Sequence, residues 1–364
     1  MSDKIEVLNP QFSRVSPHEA IENGWTIPSD WYTDPEIFAR EQERIFERTW
    51  QYVGSTYRLE KPGSYFTTMI GRIPVVVLRD KSGAINAFMN VCPHRGNLVC
   101  LGEGQRRVLQ CGYHGWTFDL GGSLRAAPRS ECESTFDKSG IGLRPLRLET
   151  WGPLIFVNAD LNAEPLAETI GGLIDLAETR GFDLNRHPLR ATREFKIASN
   201  WKVTLDNNTE CYHCSTVHPD FSHKYHVDAE NYQITTFPRA FSHISPSKTP
   251  TPDGSWDEFH LSYAWPNFMV SARGNDYFYT YTYVPVSPGV TMQRNDYFFP
   301  EEWSENEVEE AISEIAQIMR EDWQMFEQVQ VGLSSGMFPH GVLLVENEAL
   351  LRQFQKLVFD EIAG

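Results

Sequence analysis

Hydrophobic and polar positions change their spacing three times along the chain. Residues 16–50 carry apolar side chains at helical spacing, which predicts an amphipathic helical segment. Residues 52–158 consist instead of short apolar runs separated by Gly, Pro and Asp turns, the pattern of an all-β module with hairpins. A helical, acidic pattern follows over residues 161–189, and Arg193 begins a further strand. The pattern therefore predicts an all-β module between helical and mixed segments.

Alternating aromatic residues dominate positions 259–299 and predict further strands. Because side chains alternate across a strand, Tyr279, Tyr281 and Tyr283 are expected on one face of a sheet. That face either packs against a cationic ammonium group or lies buried under the C-terminal helix. Before it, residues 242–256 are rich in Pro and Ser and are interpreted as a loop, either a lid or a surface excursion.

A long helix is predicted to begin at Ser304, which forms a capping box with Glu307. Its apolar stripe advances in alternating steps of four and three residues through Val308, Ile312, Ile315, Met319, Phe326, Val329 and Leu333. The one gap in the stripe holds Asp322. A carboxylate on a buried stripe needs a partner, which is either a metal ion or an arginine. Glu321 and Glu327 lie off the stripe and are interpreted as solvated charges.

Composition and charge narrow the class of protein. A chain of 364 residues with 41% hydrophobic and 22% charged residues has room for two globular domains. Its formal net charge of -17 argues against nucleic acid as a partner, because binding phosphates requires a basic surface. No run approaches the length of a membrane span, and the N-terminal MSDKIEVLNP lacks the apolar core of a signal peptide. These features predict a cytoplasmic protein that binds no membrane.

The six cysteines suit a reducing compartment. Four of them are interpreted as reduced thiols: Cys100, Cys132, Cys211 and Cys214. The Cys211-x-x-Cys214 pair is also compatible with zinc or redox chemistry, but the chain has no second pair at this spacing. Because His213 lies between the two cysteines, the preferred interpretation is that Cys211 and Cys214 are packed thiols without zinc or redox chemistry.

The other two cysteines belong to a motif with metal-ligand spacing. Cys92-Pro-His94 is followed, sixteen residues later, by Cys111-Gly-Tyr-His114. Two thiolates and two imidazoles can bind zinc, but zinc-finger ligands arrive as a Cys pair followed by a His pair. Here each loop supplies one Cys and one His, which suits a two-iron cluster with the thiolates on one iron and the imidazoles on the other. Imidazole ligation raises the reduction potential above that of an all-cysteine cluster.

A second candidate metal site lies in the segment from Glu210 to Pro219. His213 and His218 are five positions apart, and Glu210 lies three residues before His213. Two histidines and one carboxylate with open positions form the ligand set of non-haem iron(II) oxygenases. On a helix Glu210 and His213 share a face, so the carboxylate would bind the ring nitrogen that the metal does not use. Pro219 accounts for the irregular spacing, because the residue before a proline tends to leave helical geometry. The alternative is a polar helix end with two unrelated histidines.

With these motifs the chain resembles the Rieske non-haem iron oxygenases, specifically their catalytic α component. The resemblance covers nearly the whole chain. The sequences of its motifs are most similar to those of the branch that oxidises carnitine, choline and betaines. The residues that carry it beyond the metal motifs are Asn200-Trp-Lys202, the Glu-Cys-Tyr-His-Cys run at 210–214, Trp265-Pro-Asn267 and Asp296-Tyr-Phe-Phe299. It implies an α+β protein that assembles as a ring-shaped homotrimer. An all-β Rieske [2Fe-2S] domain would span residues 45–158. A helix-grip catalytic domain, an antiparallel sheet with a long C-terminal helix, would span residues 1–44 and 159–364.

The resemblance also assigns roles to the candidate site residues. Cys92, His94, Cys111 and His114 would hold the [2Fe-2S] cluster, and His213, His218 and Asp322 would hold Fe(II). Glu210 would link its own iron site to a cluster histidine, His114 of the partner subunit. The family commonly carries Asp at this position, but the carnitine branch also has Glu. Asn207 is a further candidate catalytic residue beside Glu210.

These assignments imply an oxygenase that activates O2 to hydroxylate, oxidatively demethylate or cleave a small quaternary ammonium compound. Mono- or dioxygenation of an aromatic ring or aromatic acid is the alternative substrate class. A Rieske electron carrier without oxygenase activity is the alternative outside the enzymes. The chain has neither a G-x-G-x-x-G fingerprint nor plant-type ferredoxin cysteine spacing. Electrons from NAD(P)H would therefore arrive through a separate flavin and iron–sulfur reductase, with or without a ferredoxin.

Overall fold

The structure is a computed structural model that describes residues 14–228, 230–249, 258–273 and 276–363. It divides into two compact units. Residues Phe46–Arg186 form one, called here the inserted unit, and the remaining described residues form the main unit. No helix among the described residues is long and apolar enough to cross a membrane.

The N-terminal segment of the main unit contains two α-helices, α1 (Pro17–Glu22) and α2 (Pro35–Glu41). A 3-10 helix (Ser29–Tyr32) lies between them, and a π-helical turn (Gln42–Phe46) continues α2. The helical pattern predicted over residues 16–50 is therefore interrupted. Gly24 has a positive φ of 72°, which ends the first helix, and Asp34 and Pro35 start the second as its N-cap and first residue.

The inserted unit is an antiparallel β structure followed by one helix. Its elements are β1 (Gln51–Ser55), β2 (Ser64–Ile70), β3 (Ile73–Arg79), β4 (Ile85–Met89), β5 (Glu103–Gln105), β6 (Leu109–Gln110), β7 (Thr117–Phe118), β8 (Leu124–Ala126), β9 (Pro145–Trp151), β10 (Leu154–Asn158) and α3 (Leu166–Thr179). The large sheet has the order β1-β10-β9-β4-β3-β2-β5, and β6-β7-β8 form a small second sheet. Side chains of β3 alternate between two cores. Val75 and Val77 enter one core, and Val76 and Leu78 enter the other, which also contains Cys92 and Cys111.

The end of this unit differs from the boundary expected at residue 158. Helix α3 belongs to the inserted unit, which ends at Arg186 and begins at Phe46. The Leu166 N–H donates to Glu149 Oε2 of β9 at 2.9 Å. Leu166 is also buried on the inward face of α3. An acidic helical pattern identifies a helix but does not specify which sheet it covers, so the expected domain boundary at residue 158 stays a prediction.

The main unit continues with a seven-stranded antiparallel sheet and its helices. The elements are β11 (Leu189–Ile197), α4 (Trp201–Asn208), α5 (Cys214–Val217), α6 (Pro219–Lys224), β12 (Gln233–Phe237), β13 (Ala240–Pro246), β14 (Glu258–Ala264), β15 (Phe268–Arg273), β16 (Tyr277–Ser287), β17 (Val290–Phe298), α7 (Glu305–Leu333) and α8 (Ala349–Ala363). The strand order is β11-β17-β16-β15-β14-β13-β12. Residues 242–246, predicted as part of a loop, lie in β13, and residues 250–256 of that prediction lie outside the described residues.

Helix α7 packs on one face of this sheet and confirms most of the predicted stripe. Ser304 is its N-cap, and the predicted capping box with Glu307 is present. The stripe differs at its C-terminal end, where Val329 is 49% exposed and Gln330 is buried. Gln330 Oε1 accepts a hydrogen bond from the Asn200 N–H at 2.8 Å, so a buried polar contact takes the place of the expected apolar one.

Helix α4 leads directly into the candidate iron motif and is anchored by buried polar contacts. Lys202 Nζ forms an ion pair with Glu41 Oε1, and both side chains are fully buried. Trp201 Nε1 donates to Glu41 Oε2 at 2.8 Å. One turn later, Asp206 accepts hydrogen bonds from Tyr32 Oη at 2.6 Å and from Gln355 Nε2 at 3.0 Å. Burial raises the pKa of Asp206 to about 7.

Replacing Lys202 by methionine is expected to lower the free energy of unfolding of the main unit by about 3–5 kcal/mol, because Glu41 is left as an unpaired buried charge. Urea denaturation followed by tryptophan fluorescence measures the loss. The matched control is Lys356→Met, which breaks an exposed pair with Asp360 and is expected to change stability by less than about 0.5 kcal/mol. Equal effects of the two substitutions would contradict the importance of the buried pair.

Candidate metal centres

The segment between α4 and α5 is a turn that fixes the ring of His213. Because α4 ends at Asn208 and α5 begins at Cys214, Glu210 and His213 do not share a helix, as the sequence had suggested. Their predicted contact is nevertheless present, with Glu210 Oε1 2.5 Å from His213 Nδ1. Glu210 Oε2 accepts the backbone N–H groups of Tyr212 and, at 3.2 Å, His213. This arrangement occupies Nδ1 and leaves His213 Nε2 for another partner.

His218 lies at the junction of α5 and α6, directly before Pro219. Its backbone has left helical geometry, with φ -119° and ψ 69°, as the following proline predicts. The ring is almost completely buried, and Nε2 lies 3.0 Å from Asp322 Oδ1 on α7. Burial alone would lower the pKa of His218, but hydrogen bonds to Asp322 and Glu321 outweigh it, and the pKa is raised. The surroundings of this ring therefore favour positive charge.

The structure brings His213, His218 and Asp322 together from distant parts of the chain. One ligand atom of each residue lies within 4.8 Å of the others. His213 Nε2 is 3.6 Å from the same Asp322 oxygen that contacts His218. Among the described residues no arginine pairs with Asp322, so its partners are the two imidazoles. Two imidazole nitrogens and one carboxylate oxygen fit a divalent iron ion.

Glu321 contributes to the site in a way that the sequence interpretation missed. Instead of a solvated charge, its Oε2 lies 2.8 Å from His218 Nδ1, and Oε1 accepts a hydrogen bond from Gln317 at 3.1 Å. Each imidazole thus has a carboxylate on its outer nitrogen, Glu210 for His213 and Glu321 for His218. Such outer partners fix the ring orientation and tautomer of metal-binding histidines. One consideration could have identified Glu321 from the sequence. If His218 binds a metal through one ring nitrogen, its other ring nitrogen needs a hydrogen-bond acceptor, as His213 has in Glu210.

A pocket adjoins the three candidate ligands. The predicted common face of Tyr279, Tyr281 and Tyr283 is confirmed, and all three side chains are buried and line this pocket. The ring centroids of Tyr279 and Tyr281 are 5.8 Å apart, and those of Tyr281 and Tyr283 are 6.0 Å apart. Asn207 also lines the pocket, and its catalytic role stays a prediction.

The pocket is aromatic and acidic. Glu210 and Asp322 contribute carboxylates, and none of the described residues that line the pocket is a lysine or arginine. The ring faces of tyrosine carry partial negative charge and attract cations. The tyrosine face of this pocket can therefore contact the cationic group of a ligand.

In the inserted unit, two loops bring Cys92 and Cys111 together. Both thiols are free, buried and close enough to form a hydrogen bond with each other. Backbone N–H groups of His94 and Arg95 donate to the sulfur of Cys92, and those of Tyr113 and His114 donate to Cys111. Amide donors directed at sulfur are typical of iron–sulfur sites, where they tune the reduction potential.

The two loops have the same turn geometry. Gly96 and Gly115 have φ values of 77° and 74°, in the left-handed region that favours glycine. The Gly96 N–H donates to the Cys92 carbonyl at 2.9 Å, and the Gly115 N–H donates to the Cys111 carbonyl at 3.0 Å. These turns present the exposed imidazoles of His94 and His114 with ring centroids 4.6 Å apart. Two buried sulfurs and two outer imidazoles fit a Rieske cluster.

Cys211 and Cys214 form a disulfide bond in the structure, so their interpretation as reduced thiols is wrong. The turn that joins Glu210 to His213 brings the two Cα atoms to 5.0 Å, within the usual range for a disulfide. Sequence spacing alone did not reveal this turn. Cys100 and Cys132 are free, as predicted.

Comparison with known proteins agrees with both centres. Residues 49–145 match the model of the Rieske [2Fe-2S] domain, and residues 184–364 match that of the ring hydroxylating alpha subunit catalytic domain. The carnitine monooxygenase oxygenase subunit of Acinetobacter baumannii is 32% identical over 318 residues, which cover 85% of this chain and 86% of that protein. The chloroplastic choline monooxygenase of Amaranthus tricolor is 30% identical over 370 residues, covering 97% of this chain and 82% of that protein.

Solved structures of Rieske oxygenases are also similar to this chain. A quaternary ammonium Rieske monooxygenase in complex with L-carnitine superposes with a TM-score of 0.83 at 30% identity, covering 96% of this chain and 99% of that one. Naphthalene 1,2-dioxygenase from Rhodococcus sp. shares the fold, with a TM-score of 0.78 at 20% identity over 96% of this chain and 98% of that one. These matches confirm the expected α+β fold and the enzyme class. The chain belongs to the Rieske non-haem iron oxygenases, the family that includes the carnitine and choline monooxygenases.

Proposed function

We propose that this chain is the terminal oxygenase of a multicomponent system that hydroxylates or oxidatively demethylates or cleaves a small quaternary ammonium compound. The observation that carries the proposal is the pocket beside His213, His218 and Asp322. It combines a face of three buried tyrosines with two carboxylates and has no lysine or arginine among its described lining residues. A quaternary ammonium group is large, apolar on its surface and positively charged, which matches this lining.

The metal ligands follow from the donor sets described above. Cys92, His94, Cys111 and His114 hold the [2Fe-2S] cluster, and His213, His218 and Asp322 hold Fe(II). When bound, the cluster supplies electrons one at a time and the ferrous ion supplies open positions for O2. Glu210 and Glu321 keep the two imidazoles oriented, and the tyrosine face holds the cationic end of the substrate and excludes water.

Electrons enter from outside the chain. Its sequence has no dinucleotide fingerprint, so a separate flavin and iron–sulfur reductase, with or without a ferredoxin, oxidises NAD(P)H. In a homotrimer, Glu210 would link its own iron site to His114 of the partner subunit, and electrons from the partner's cluster would reach the iron through this contact. This route is supported by a quaternary ammonium Rieske monooxygenase of the same fold, whose structure was described in terms of inter-subunit electron transfer.

Substrate-dependent consumption of NADH and O2, measured with a Rieske reductase, tests the substrate class. Quaternary ammonium compounds such as choline, carnitine and glycine betaine are expected to stimulate consumption and to give an oxidised product. Benzoate and naphthalene represent the alternative aromatic class and are expected to give neither. Turnover of an aromatic compound without turnover of any ammonium compound would overturn the proposal.

Tyr281→Leu is expected to raise the KM for an ammonium substrate about tenfold, because the substrate loses a cation–π contact worth about 1–2 kcal/mol. Tyr281→Phe is the matched control. It keeps the ring, loses only the hydroxyl near Ser271, and is expected to have a KM close to that of the wild type. Steady-state kinetics of the three proteins measure the effect. Equal KM values for the phenylalanine and leucine variants would show that the ring does not bind the cation.

A further inference from the structure

A disulfide bond lies beside the proposed iron site and has no part in the function described above. Cys211 and Cys214 form it, and both residues line the pocket that adjoins the candidate ligands. In proteins of reducing compartments such bonds are usually transient and take part in catalysis or redox sensing. Reduction of this bond would release two thiols inside the pocket.

Cys214 is the cysteine close to the metal position. Its sulfur is 4.0 Å from His213 Nε2, the ring nitrogen that remains for the metal because Glu210 occupies Nδ1. Metal–nitrogen and metal–sulfur bonds of about 2.1 and 2.3 Å allow two donors on one ion to be up to about 4.4 Å apart. The sulfur of Cys214 and Nε2 of His213 can therefore bind the same ion.

The position of Cys214 does not depend on the disulfide. Its carbonyl oxygen accepts the His218 N–H at 3.0 Å and the Ser222 hydroxyl at 2.9 Å, which ties the residue to α5 and α6. The turn before it is held separately, because the Glu210 carboxylate accepts two backbone N–H groups of that turn. We expect the sulfur of Cys214 to stay at the iron site after the bond to Cys211 is broken.

The oxidation state of Cys214 decides whether its sulfur is a metal ligand. Metal ions bind the thiolate form of cysteine, whereas a sulfur atom in a disulfide has no negative charge to donate. Two histidines and one carboxylate leave positions open on a ferrous ion, and a thiolate beside them would occupy one. The sulfur would then compete with O2 for that position.

We propose that Cys211 and Cys214 form a thiol–disulfide exchange site that controls the mononuclear iron centre. In the disulfide form the sulfur of Cys214 stays off the metal, and turnover is possible. In the dithiol form Cys214 binds the ferrous ion and turnover stops. The proposal rests on the iron ligands proposed above and adds a fourth protein ligand that is present only after reduction.

The exchange reaction requires a dithiol reductant. Its first thiol reacts with the half-buried Cys211 and displaces the buried Cys214, and its second thiol then closes a disulfide within the reductant. One S–S bond is broken and one is formed, and two electrons and two protons pass to the protein. When Cys214 binds the metal as a thiolate, its proton goes to solvent. Exchange with a small disulfide reverses these steps.

Two single substitutions remove the same disulfide and are expected to have opposite effects. Cys211→Ser leaves Cys214 as a free thiol, so turnover is expected to be at least about tenfold lower than in the oxidised wild type, with or without a dithiol. Cys214→Ser removes the added ligand, so turnover is expected to stay close to that of the oxidised wild type and not to respond to a dithiol. A disulfide that only stabilised the turn would give equal effects in both variants.

Turnover and thiol content are measured on the same protein. The wild type is treated with dithiothreitol without oxygen, freed of it by gel filtration, and returned to the disulfide form with oxidised glutathione. Thiols are counted by mass spectrometry after alkylation, and turnover is measured with NADH and a Rieske reductase. Turnover is expected to fall at least about tenfold when the two thiols appear and to recover on reoxidation. Cys132→Ser, which removes an exposed free cysteine, is the control and is expected to behave as the wild type.

Ligation is measured independently of turnover in protein whose mononuclear site holds cobalt(II) in place of iron. X-ray absorption at the cobalt edge detects a sulfur about 2.3 Å from the metal, the distance typical of zinc thiolates, without interference from the iron cluster. Only the reduced wild type and Cys211→Ser are expected to show this sulfur. The oxidised wild type and Cys214→Ser are expected to show nitrogen and oxygen ligands alone. The absorbance spectrum of the Rieske cluster and melting curves check that each variant is folded.

The outcomes separate this inference from the ligand assignment on which it rests. If cobalt binds neither the wild type nor the variants, the assigned iron site and this inference both fail. If cobalt binds but dithiothreitol releases no thiol, if the reduced wild type shows no sulfur ligand, or if Cys211→Ser and Cys214→Ser have equal turnover, only the inference is overturned. A sulfur ligand that appears on reduction together with the loss of turnover supports it.

Discussion

Glu210→Ala is expected to lower turnover by at least about 100-fold while both metal centres stay loaded. The substitution removes the acceptor that holds His213 Nδ1 at 2.5 Å and releases the N–H groups of Tyr212 and His213. It also removes the proposed link to His114 of the partner subunit. Because the direct ligands His213, His218 and Asp322 remain, iron is retained. The measurements are NADH-driven product formation, iron content and the electron paramagnetic resonance signal of the reduced cluster.

Two controls show which property of Glu210 matters. Glu210→Gln keeps an oxygen acceptor for His213 but removes the charge, so its activity is expected to lie between those of the wild type and the alanine variant. Asp220→Ala removes an exposed carboxylate from α6 and is expected to have no effect. Full activity in Glu210→Ala would eliminate the proposed electron route.

Asp322→Ala is expected to abolish turnover by removing one of the three ligands of the mononuclear iron. Iron content is expected to fall from about three to about two atoms per chain, while the visible spectrum of the Rieske cluster is unchanged. The loss also leaves the two imidazoles without the carboxylate that lies 3.0 Å from His218 and 3.6 Å from His213. Metal analysis by mass spectrometry, after anaerobic reconstitution with ferrous iron, measures the change.

The matched control for this substitution is Glu310→Ala, which removes an exposed carboxylate from the same helix. Its iron content and activity are expected to equal those of the wild type. Wild-type iron content in Asp322→Ala would show that another residue supplies the third ligand.

The sequence predicted the parts of the site that depend on local chemistry. The ligand spacing of Cys92, His94, Cys111 and His114 is specific because few metal groups use one Cys and one His from each of two loops. Asp322 was identified because a carboxylate interrupts an otherwise apolar helical stripe, and the structure places it beside both histidines. Both inferences use periodicity or spacing, which are properties of a single stretch of chain.

The features that the sequence missed depend on contacts between distant elements. Glu321 looked solvated because it lies off the apolar stripe, yet it contacts His218, 103 residues earlier in the chain. His243 and Ser245 made β13 look like a polar loop, because the inner face of this strand lines a pocket instead of an apolar core. The same difficulty applies to helix α3, because its pattern gives its buried face but not the sheet that this face covers.

A single turnover without reductase tests most directly whether cluster and mononuclear iron work as one system. The purified protein is reduced chemically, freed of reductant, and mixed with O2 and an ammonium substrate in a stopped-flow instrument. The cluster absorbance is expected to return to that of the oxidised form while product accumulates, and both events are expected to fail together in Glu210→Ala. Product formed while the cluster stays reduced, or a cluster that oxidises at the normal rate in Glu210→Ala, would contradict this expectation.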